Sequence, residues 1–186
     1  MVMFPGHAAV AAEAKAIPKN FLLYEKPARA DTKNTRWFVI EGGKNEDVWN
    51  AQCTPAKLKG WSARRDVSYD PELGGGEKTN RMRGEQVFLF TRESGARTMM
   101  ATMRKLMKGC EQITPSSPKV GEEAVAGVLR IKGKVPQTQQ FVAVRRGGAI
   151  ALYWDLANQA KPLRTMAWHV KDARAMAKKL CSITSC

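Results

Sequence analysis

The residues of this chain with the most distinctive chemistry are its four cysteines, Cys53, Cys110, Cys181 and Cys186. No two of them form a C-x-x-C pair, and only His7 and His169 could complete a nitrogen and sulfur metal site. Structural zinc sites use closely spaced ligand pairs, so we expect no metal here. An even number of cysteines favours disulfides and an oxidising compartment. A cytoplasmic protein with reduced thiols is the alternative.

Four cysteines allow three pairings, and spacing alone does not choose between them. We predict a Cys53–Cys110 bridge, because Cys110 ends an apolar helix stripe that should face a sheet and Cys53 follows an aromatic segment that should pack there. We also predict a Cys181–Cys186 bridge. Cys181 lies in the last turn of the final helix, and residues 182–185 have the length and polarity to turn back on themselves.

Candidates for catalysis are sparse. A serine triad needs a histidine base, but His7 lies in a terminal tail and no Gly-x-Ser-x-Gly elbow is present. A cysteine nucleophile paired with His169 is conceivable, although an even set of cysteines more often forms cross-links. The adjacent carboxylates at 46–47 and 122–123 are predicted to lie on the surface. We therefore expect no enzyme activity and no cofactor.

Aromatic and arginine side chains make a better case for binding. Five tryptophans supply more aromatic surface than one core usually requires, so some should line a cleft in which arginines meet an anionic group. The predicted cleft residues are Trp37, Arg145, Arg146, Tyr153, Trp154, Trp168 and His169. The alternative is that the tryptophans belong to the core and that the two arginines lie on a solvated hairpin end.

A buried strand and the helix that follows it should form the centre of the fold. Residues 87–90 read Val-Phe-Leu-Phe, which is typical of a strand buried on both faces. Thr91, or alternatively Ser94, is the predicted N-cap of the helix. Apolar residues recur at steps of three and four over residues 96–110, which predicts an amphipathic helix of about four turns. Gly109 fits a left-handed stop at its end.

Further strands and a last helix complete the pattern. Strands are predicted over residues 36–40, 61–69, 81–90, 125–132, 140–146 and 149–154. Gly147-Gly148 should join the last two in a hairpin, because glycine at both central positions suits a type I′ turn. The final helix is predicted from an apolar stripe of Val170, Ala173, Met176, Ala177 and Leu180. Hairpins and helices without regular β-α-β alternation predict an α+β fold on an antiparallel sheet.

The segments between these elements complete the predicted organisation. Residues 25–35, 71–79 and 114–118 are predicted to be surface loops. The strand over 61–69 is predicted to be an edge strand, with Arg64-Arg65 preventing pairing with other chains. Residues 1–16 form a tail or short helix in this scheme, and residues 17–186 form a single domain.

Charge and hydropathy narrow the classes of partner. The formal net charge of +14 suits nucleic acid, anionic lipid, an acidic wall polymer or solubility alone. No apolar run reaches the roughly 20 residues that a membrane helix requires, so we expect no membrane span. The cations are dispersed along the chain and are not clustered with aromatics, so we expect no specific binding of nucleic acid.

The order of several landmarks resembles a known family. A first cysteine follows a tryptophan-containing segment, then come the Val-Phe-Leu-Phe strand, a helix that ends in the second cysteine, Val-Gly-Glu-Glu-Ala at 120–124 and Val-Ala-Val-Arg-Arg-Gly at 142–147. Over residues 17–181 the chain resembles the PknH-like extracellular sensor domain family of actinobacteria. The resemblance implies a twisted antiparallel sheet flanked by helices, a cleft between them, disulfide cross-links and a role in binding. The chain departs from kinase-linked members in the placement of Cys181 and Cys186, and in lacking a kinase domain and a transmembrane helix.

Together these features predict a secreted or envelope-associated, sensor-type domain without catalytic activity. Its expected partner is an anionic ligand, a cell-envelope polymer or a protein. Residues 1–16 lack the basic and apolar regions of an export signal, so that signal is expected to be absent from this sequence. The alternatives are a basic polyanion- or nucleic-acid-binding protein and a small enzyme that uses the same cleft.

Overall fold

The strands of the protein form one antiparallel sheet with helices on both of its faces. The computed structural model describes residues 16–30, 37–41, 58–69 and 81–186. The strands in these residues are β1 (Trp37–Glu41), β2 (Ala63–Tyr69), β3 (Arg81–Leu89), β4 (Ile113–Ser116), β5 (Glu123–Ile131), β6 (Gln137–Arg146) and β7 (Ala149–Ala157). The helices are α1 (Glu25–Ala30), α2 (Glu93–Lys108) and α3 (Met166–Leu180).

The order of the strands across the sheet is β1-β2-β3-β7-β6-β5-β4. Every neighbouring pair is antiparallel. β3 pairs with β7 along its whole length, from Arg81 opposite Ala157 to Leu89 opposite Ala149. The predicted fold class is confirmed: the chain forms a single α+β domain, an antiparallel sheet flanked by helices and cross-linked by disulfides.

β3 is buried on both faces because helices cover the sheet from both sides. Val87 and Leu89 pack in the core that includes α3, and Phe88 and the adjoining Phe90 pack in the core that includes α2. We call these two sides the α3 face and the α2 face. Successive strand residues point to opposite faces, so the Val-Phe-Leu-Phe run contributes to both cores. The predicted buried strand is confirmed.

Helix α2 buries the apolar stripe predicted for it, in Ala96, Met99, Met100, Met103 and Met107. Its N-cap is neither Thr91 nor Ser94. The cap position is Arg92, whose extended backbone leads into the helix and whose side chain makes no capping hydrogen bond. Gly109 is not left-handed as predicted, since its φ is −82° and its N–H donates to the Leu106 carbonyl at 3.2 Å. A right-handed last turn therefore satisfies this end of the helix.

The surface loop predicted over residues 25–35 is wrong at its start, where α1 forms and Glu25 is fully buried. The reason is Arg65 of β2, whose Nε donates to Glu25 Oε2 at 2.8 Å. The Leu22 N–H donates to the same oxygen at 3.1 Å. A carboxylate tolerates burial when a buried cation and a backbone donor satisfy it. Local hydropathy does not reveal a partner that is 40 residues away.

The outer strands of the described sheet differ from the prediction. β2 is not an edge strand, because β1 pairs along its outer side. Its Arg64 and Arg65 are buried and do not protect an edge. β4 forms within the predicted surface crossover at 114–118 and is the other outer strand, paired with β5. Pro115 is compatible with that position, because an outer strand can leave one side without N–H donors.

The predicted β6–β7 hairpin is confirmed, with Arg146 opposite Ala149. Its turn is not the predicted type I′, which requires positive φ at both central residues. Gly147 has φ of +48°, whereas Gly148 lies outside the left-handed region. A Cβ on Gly147 would lie 1.9 Å from the Ser185 carbonyl oxygen. The chain end thus packs against the turn, at a distance that only glycine permits.

The predicted Cys181–Cys186 bridge is present, with Cα atoms 5.5 Å apart. It closes the loop that holds Thr184 against the hairpin turn, where the Thr184 hydroxyl accepts a hydrogen bond from the second glycine at 2.9 Å. Cys110 is also disulfide-bonded. Its predicted partner, Cys53, lies outside the described residues, so that pairing stays a prediction.

Other predictions also fall on residues outside the described part: most of the tail over residues 1–16, the end of the loop over 25–35, the carboxylates at 46–47 and the loop at 71–79. In the described part of the chain, no helix is both long enough and apolar enough to cross a lipid bilayer.

Candidate functional site

The α3 face carries buried and half-buried polar side chains at one end of the sheet, which we call the polar cluster. Its members are Tyr24, Arg83, Glu85, Tyr153, Asp155, His169 and Asp172. Strand pairing positions four of them, because Glu85 lies opposite Tyr153 and Arg83 lies opposite Asp155. Alternate residues of a strand share a face, so these four lie on the same face as Val87. Helix α3 and the segment before α1 supply the rest.

Glu85 is fully buried and receives three hydrogen bonds. Its Oε1 accepts from the Tyr153 hydroxyl at 2.6 Å and from the Leu23 N–H at 3.0 Å, and its Oε2 accepts from the Tyr24 N–H at 2.8 Å. Burial raises the pKa of Glu85 to about 7, although the three hydrogen bonds oppose part of that rise. Both protonation states of Glu85 are therefore populated near neutral pH.

Tyr24 connects this carboxyl group to α3. Its hydroxyl donates to Asp172 Oδ2 at 2.5 Å. Its ring meets the Tyr153 ring edge-on, with centroids 5.5 Å apart, and the Arg83 guanidinium lies 5.0 Å from its centre. Burial, followed by the hydrogen bond to Asp172, raises the pKa of Tyr24 above its usual value, so the phenol stays protonated.

Asp155 and His169 form a buried pair, with Oδ2 and Nε2 2.8 Å apart. The same carboxylate oxygen accepts from the Gln140 amide and from the Arg164 N–H, both at 3.3 Å. Among the described residues, His169 Nδ1 and Asp155 Oδ1 are buried and have no hydrogen-bond partner. An aspartate that orients an imidazole in this way can support acid–base chemistry. Here the ring is 2% exposed, which separates it from solvent.

A cysteine nucleophile for this histidine is not found in the described part of the chain. Cys110, Cys181 and Cys186 are all disulfide-bonded there. A thiolate is required for nucleophilic attack, and a disulfide sulfur does not provide one. The buried pair joins α3 to β7.

Beside this pair, Trp168 leaves 43% of its surface exposed. The Arg164 guanidinium lies 4.4 Å from its ring centre, and Lys171 Nζ lies 5.8 Å away. We call these three residues the Trp168 surface. Helical periodicity explains why the neighbours Trp168 and His169 differ, since one points to solvent and the other to the sheet. A large exposed aromatic flanked by cations is a recognised feature of binding surfaces.

The structure does not bring the seven predicted cleft residues together. Tyr153 and His169 belong to the polar cluster, and Trp168 lies beside it. Trp154 follows Tyr153 in β7 and therefore packs on the opposite, α2 face, where it is buried. Trp37 lies in β1, an outer strand of the sheet.

The predicted anion-binding arginines lie at the other end of the strands, next to the hairpin turn. Arg145 is 4% exposed and contacts the carboxylates of Glu93, Glu122 and Glu123 at 3.1, 2.7 and 2.8 Å. Burial alone would lower the pKa of Arg145, but Glu123 and Glu122 outweigh it and raise that pKa. Arg146 lies 3.9 Å from Glu122. Arg145 is thus committed to internal ion pairs and is not presented to a ligand.

Sequence patterns did not point to three important members of the polar cluster, Tyr24, Glu85 and Asp172. One signal was present for Glu85: charged residues at 83 and 85 alternate along a strand whose second half is entirely apolar. No comparable signal exists for Tyr24 and Asp172. They are separated by 148 residues and meet only because α3 packs across the sheet.

An open hollow of about 240 Å³ lies on the other side of the molecule, at the start of α2. It is lined by Gly60, Phe90, Thr91, Arg92, Ser94 and Gly95. None of these is a buried charged residue. Its polar lining residues, Thr91, Arg92 and Ser94, are all exposed.

Comparison with known proteins identifies a fold but no sequence family. No protein-family model matches the chain, and no curated protein matches it. Among solved structures, it is similar to the crystal structure of the extracellular domain of PknH from Mycobacterium tuberculosis. The TM-score is 0.55 and the identity is 12%, over 91% of this chain and 97% of that one. At this identity the likeness establishes the fold alone.

Proposed function

We propose that the chain is a PknH-like, sensor-type binding domain that acts outside the cytoplasm and binds an anionic ligand at the Trp168 surface. The likeness to an extracellular domain spans nearly all of both chains and supports the type of domain. Disulfides support an oxidising compartment. The observation that carries the binding proposal is Trp168, exposed between Arg164 and Lys171. The proposed domain covers residues 17–186, after a tail of residues 1–16.

The chemistry of the Trp168 surface suits an anionic group that lies next to a flat or apolar one. The guanidinium of Arg164 lies over the indole, which leaves its N–H groups free to bind a carboxylate, phosphate or sulfate. The first turn of α3 contains no acidic residue, and the helix N-terminus adds positive partial charge. Asp172, the next carboxylate along the helix, is held by Tyr24.

The proposed ligand is a cell-envelope polymer or a protein segment that carries such anionic groups. The formal charge of +14 attracts any polyanion over long distances. Long-range attraction does not select a site, whereas stacking on Trp168 and hydrogen bonding to Arg164 do. The Trp168 surface therefore provides a specific binding site in addition to the long-range attraction from the net charge.

We propose no catalytic role for this domain. The side chain that is best placed for proton transfer, His169, is buried beneath α3 and already bonded to Asp155. Removing it should alter stability and leave binding at the exposed surface in place.

A second candidate function is sequence-indifferent binding of polyanions over the whole basic surface, and the net charge favours it. The two candidate functions differ in which residues provide the binding energy. In the first, it depends on Trp168 and its two cations. In the second, any two exposed cations contribute equally, and affinity depends mainly on salt concentration.

The test is a calorimetric titration of the full chain with a heparin-derived octasaccharide at two salt concentrations. Trp168→Ala and the double variant Arg164→Ala/Lys171→Ala should each weaken binding about tenfold, the loss expected for an aromatic or paired cation contact. The matched control Lys105→Ala/Lys108→Ala removes the same charge from the exposed side of α2 and should weaken binding less than about threefold. Equal losses in both double variants would support the second candidate and overturn the first.

A further inference from the structure

The segment before α1 is hydrogen-bonded to a buried carboxyl group of the sheet, that of Glu85. Leu23 and Tyr24 donate their backbone N–H groups to the two oxygens of Glu85, at 3.0 and 2.8 Å. Phe21 and Leu22 of the same segment are buried in the α3-face core. Glu85 lies in β3, the strand buried on both faces, so a peripheral segment is bonded directly to the centre of the sheet.

The segment also lies against Glu85, which is shielded from water. Glu85 has no exposed surface, and the Tyr24 ring packs on Tyr153, the third donor to its carboxyl group. All three donors are neutral groups, so no positive charge compensates an ionised Glu85 through these bonds. If the segment lifted, the carboxyl group would gain water on the side that Leu23 and Tyr24 now cover.

We propose that Glu85 is a proton-controlled latch for the segment over residues 16–30. When Glu85 is neutral, the segment stays docked on the sheet. When Glu85 is ionised, a state in which the segment lifts and the carboxylate is hydrated becomes more populated. The protein thereby converts the pH of its surroundings into the position of a chain segment.

The direction follows from proton linkage. The docked form has a Glu85 pKa of about 7 because of burial, while a hydrated carboxyl group has the usual value of 4.5. The docked form therefore binds the proton more tightly, and docking is favoured at low pH and weakened as pH rises from 4.5 through 7. With these two values, the ratio of lifted to docked molecules should rise about 70-fold between pH 5 and pH 8.

Other charged or titratable groups lie on each element around Glu85, and their roles must be separated from its own. They are Tyr24 and Glu25 on the docked segment, Arg65 on β2, Arg83 on β3, Tyr153 and Asp155 on β7, and His169 and Asp172 on α3. Burial raises the pKa of both tyrosines, so they stay protonated between pH 5 and pH 8. Glu25 stays ionised there, because Arg65 and the Leu22 N–H outweigh its burial and lower its pKa.

The test is amide hydrogen exchange of the full chain, read at Leu23 and Tyr24. Protection factors, corrected for the intrinsic pH dependence of exchange, should fall about 70-fold from pH 5 to pH 8. The amides of Ala143 and Val144 in the sheet centre serve as the reference and should not change. Unchanged protection at Leu23 and Tyr24 over this range overturns the proposal.

Variants assign the effect to Glu85. Glu85→Gln carries no titratable group and should make the protection at Leu23 and Tyr24 independent of pH. His169→Gln, which leaves Glu85 and its three donors in place, should keep the wild-type profile. A pH response that survives Glu85→Gln, or disappears in His169→Gln, contradicts the latch.

A second substitution keeps the proposal testable if Glu85→Gln does not fold. Tyr153→Phe preserves the ring and removes one donor to the carboxyl group. Because that hydrogen bond lowers the pKa of Glu85, its loss should move the midpoint of the exchange profile to higher pH. A midpoint that stays in place or moves to lower pH overturns the assignment to Glu85.

Discussion

Gly84 lies directly opposite Trp154 across β3 and β7, and a Cβ on Gly84 would lie 2.5 Å from the indole. The buried ring thus occupies the space that any other side chain at position 84 would need. One register step away, on the other face, the same strands place Glu85 opposite Tyr153. Packing on the α2 face and the polar cluster on the α3 face therefore depend on a single strand pairing.

Gly84→Ala should destabilise the protein by about 1–3 kcal/mol, because the added methyl group overlaps the Trp154 ring in a packed core. Urea unfolding measures the loss. Gly133→Ala is the matched control and should have little effect, since its Cβ would meet only a carbonyl oxygen at 3.9 Å. Combining Gly84→Ala with Trp154→Phe should cost less than the sum of the two single changes. Additive losses would contradict the predicted overlap.

Tyr24→Phe should lower the free energy of unfolding by about 1–2 kcal/mol, because it keeps the ring and removes the hydroxyl that donates to the Asp172 carboxylate. A double-mutant cycle with Asp172→Asn isolates that contact. The two substitutions together should cost less than the sum of their separate effects. If the losses add, the hydroxyl and the carboxylate do not interact in solution.

Arg145→Met should destabilise the protein by about 3 kcal/mol or more, because it removes the buried cation that contacts the carboxylates of Glu122 and Glu123. Arg145→Lys keeps the charge but not the several N–H donors, and its loss should be intermediate. Arg97→Ala is the control, since Arg97 is exposed and contacts only one surface carboxylate in the described structure. The midpoint of urea unfolding of the Arg97→Ala variant should barely change. An equally small effect at Arg145 would show that its ion pairs contribute nothing.

Cys181→Ser/Cys186→Ser should lower stability by about 2 kcal/mol and leave the fold intact, because a short closed loop constrains the unfolded chain only modestly. Helix α3 keeps its anchors Ala173, Met176 and Leu180 in the core. Thermal unfolding with and without reductant measures the change. Loss of folding in the double variant would mean that the chain end, and not the core, holds α3 in place.

Cys53 is predicted to be the partner of Cys110, and peptide mapping under non-reducing conditions tests this directly. A disulfide that closes a loop of nearly sixty residues should stabilise the folded protein by about 4 kcal/mol. Replacing this pair by serine should therefore cost more than replacing the pair at the chain end. A free thiol at Cys53 would contradict the pairing.

Glu25 should make the protein acid-sensitive. Burial would raise its pKa, but the hydrogen bonds from Arg65 and the Leu22 N–H lower it below 4.5. A lowered pKa in the folded state contributes stability above the unfolded value, and that contribution is lost as pH falls below 4.5. Glu25→Gln should therefore reduce stability at pH 7 and flatten its decline below pH 4.5. An unchanged acid limb in chemical unfolding curves would show that other carboxylates cause the decline.

The sequence by itself determined the elements whose signal is local. The Val-Phe-Leu-Phe strand, the methionine-rich stripe of α2, the β6–β7 hairpin and the Cys181–Cys186 loop were all predictable, because each depends on a period or spacing within about fifteen residues. These elements, in this order, were sufficient to predict an antiparallel α+β sheet. They were not sufficient to identify the outer strands, since edge position depends on a partner strand elsewhere in the chain.

Only the tertiary structure decided which polar groups meet. The sequence predicted that Glu25 lies in a surface loop, but it is buried beside Arg65. The sequence also predicted that Arg145 binds a ligand, but its side chain contacts three glutamates. Tyr24 and Asp172 are joined by the packing of α3, across 148 residues. A buried charge is stable only with its partner, and that partner is selected by strand register and helix placement. Hydropathy along the chain contains no information on strand register or helix placement, so it does not identify the partner.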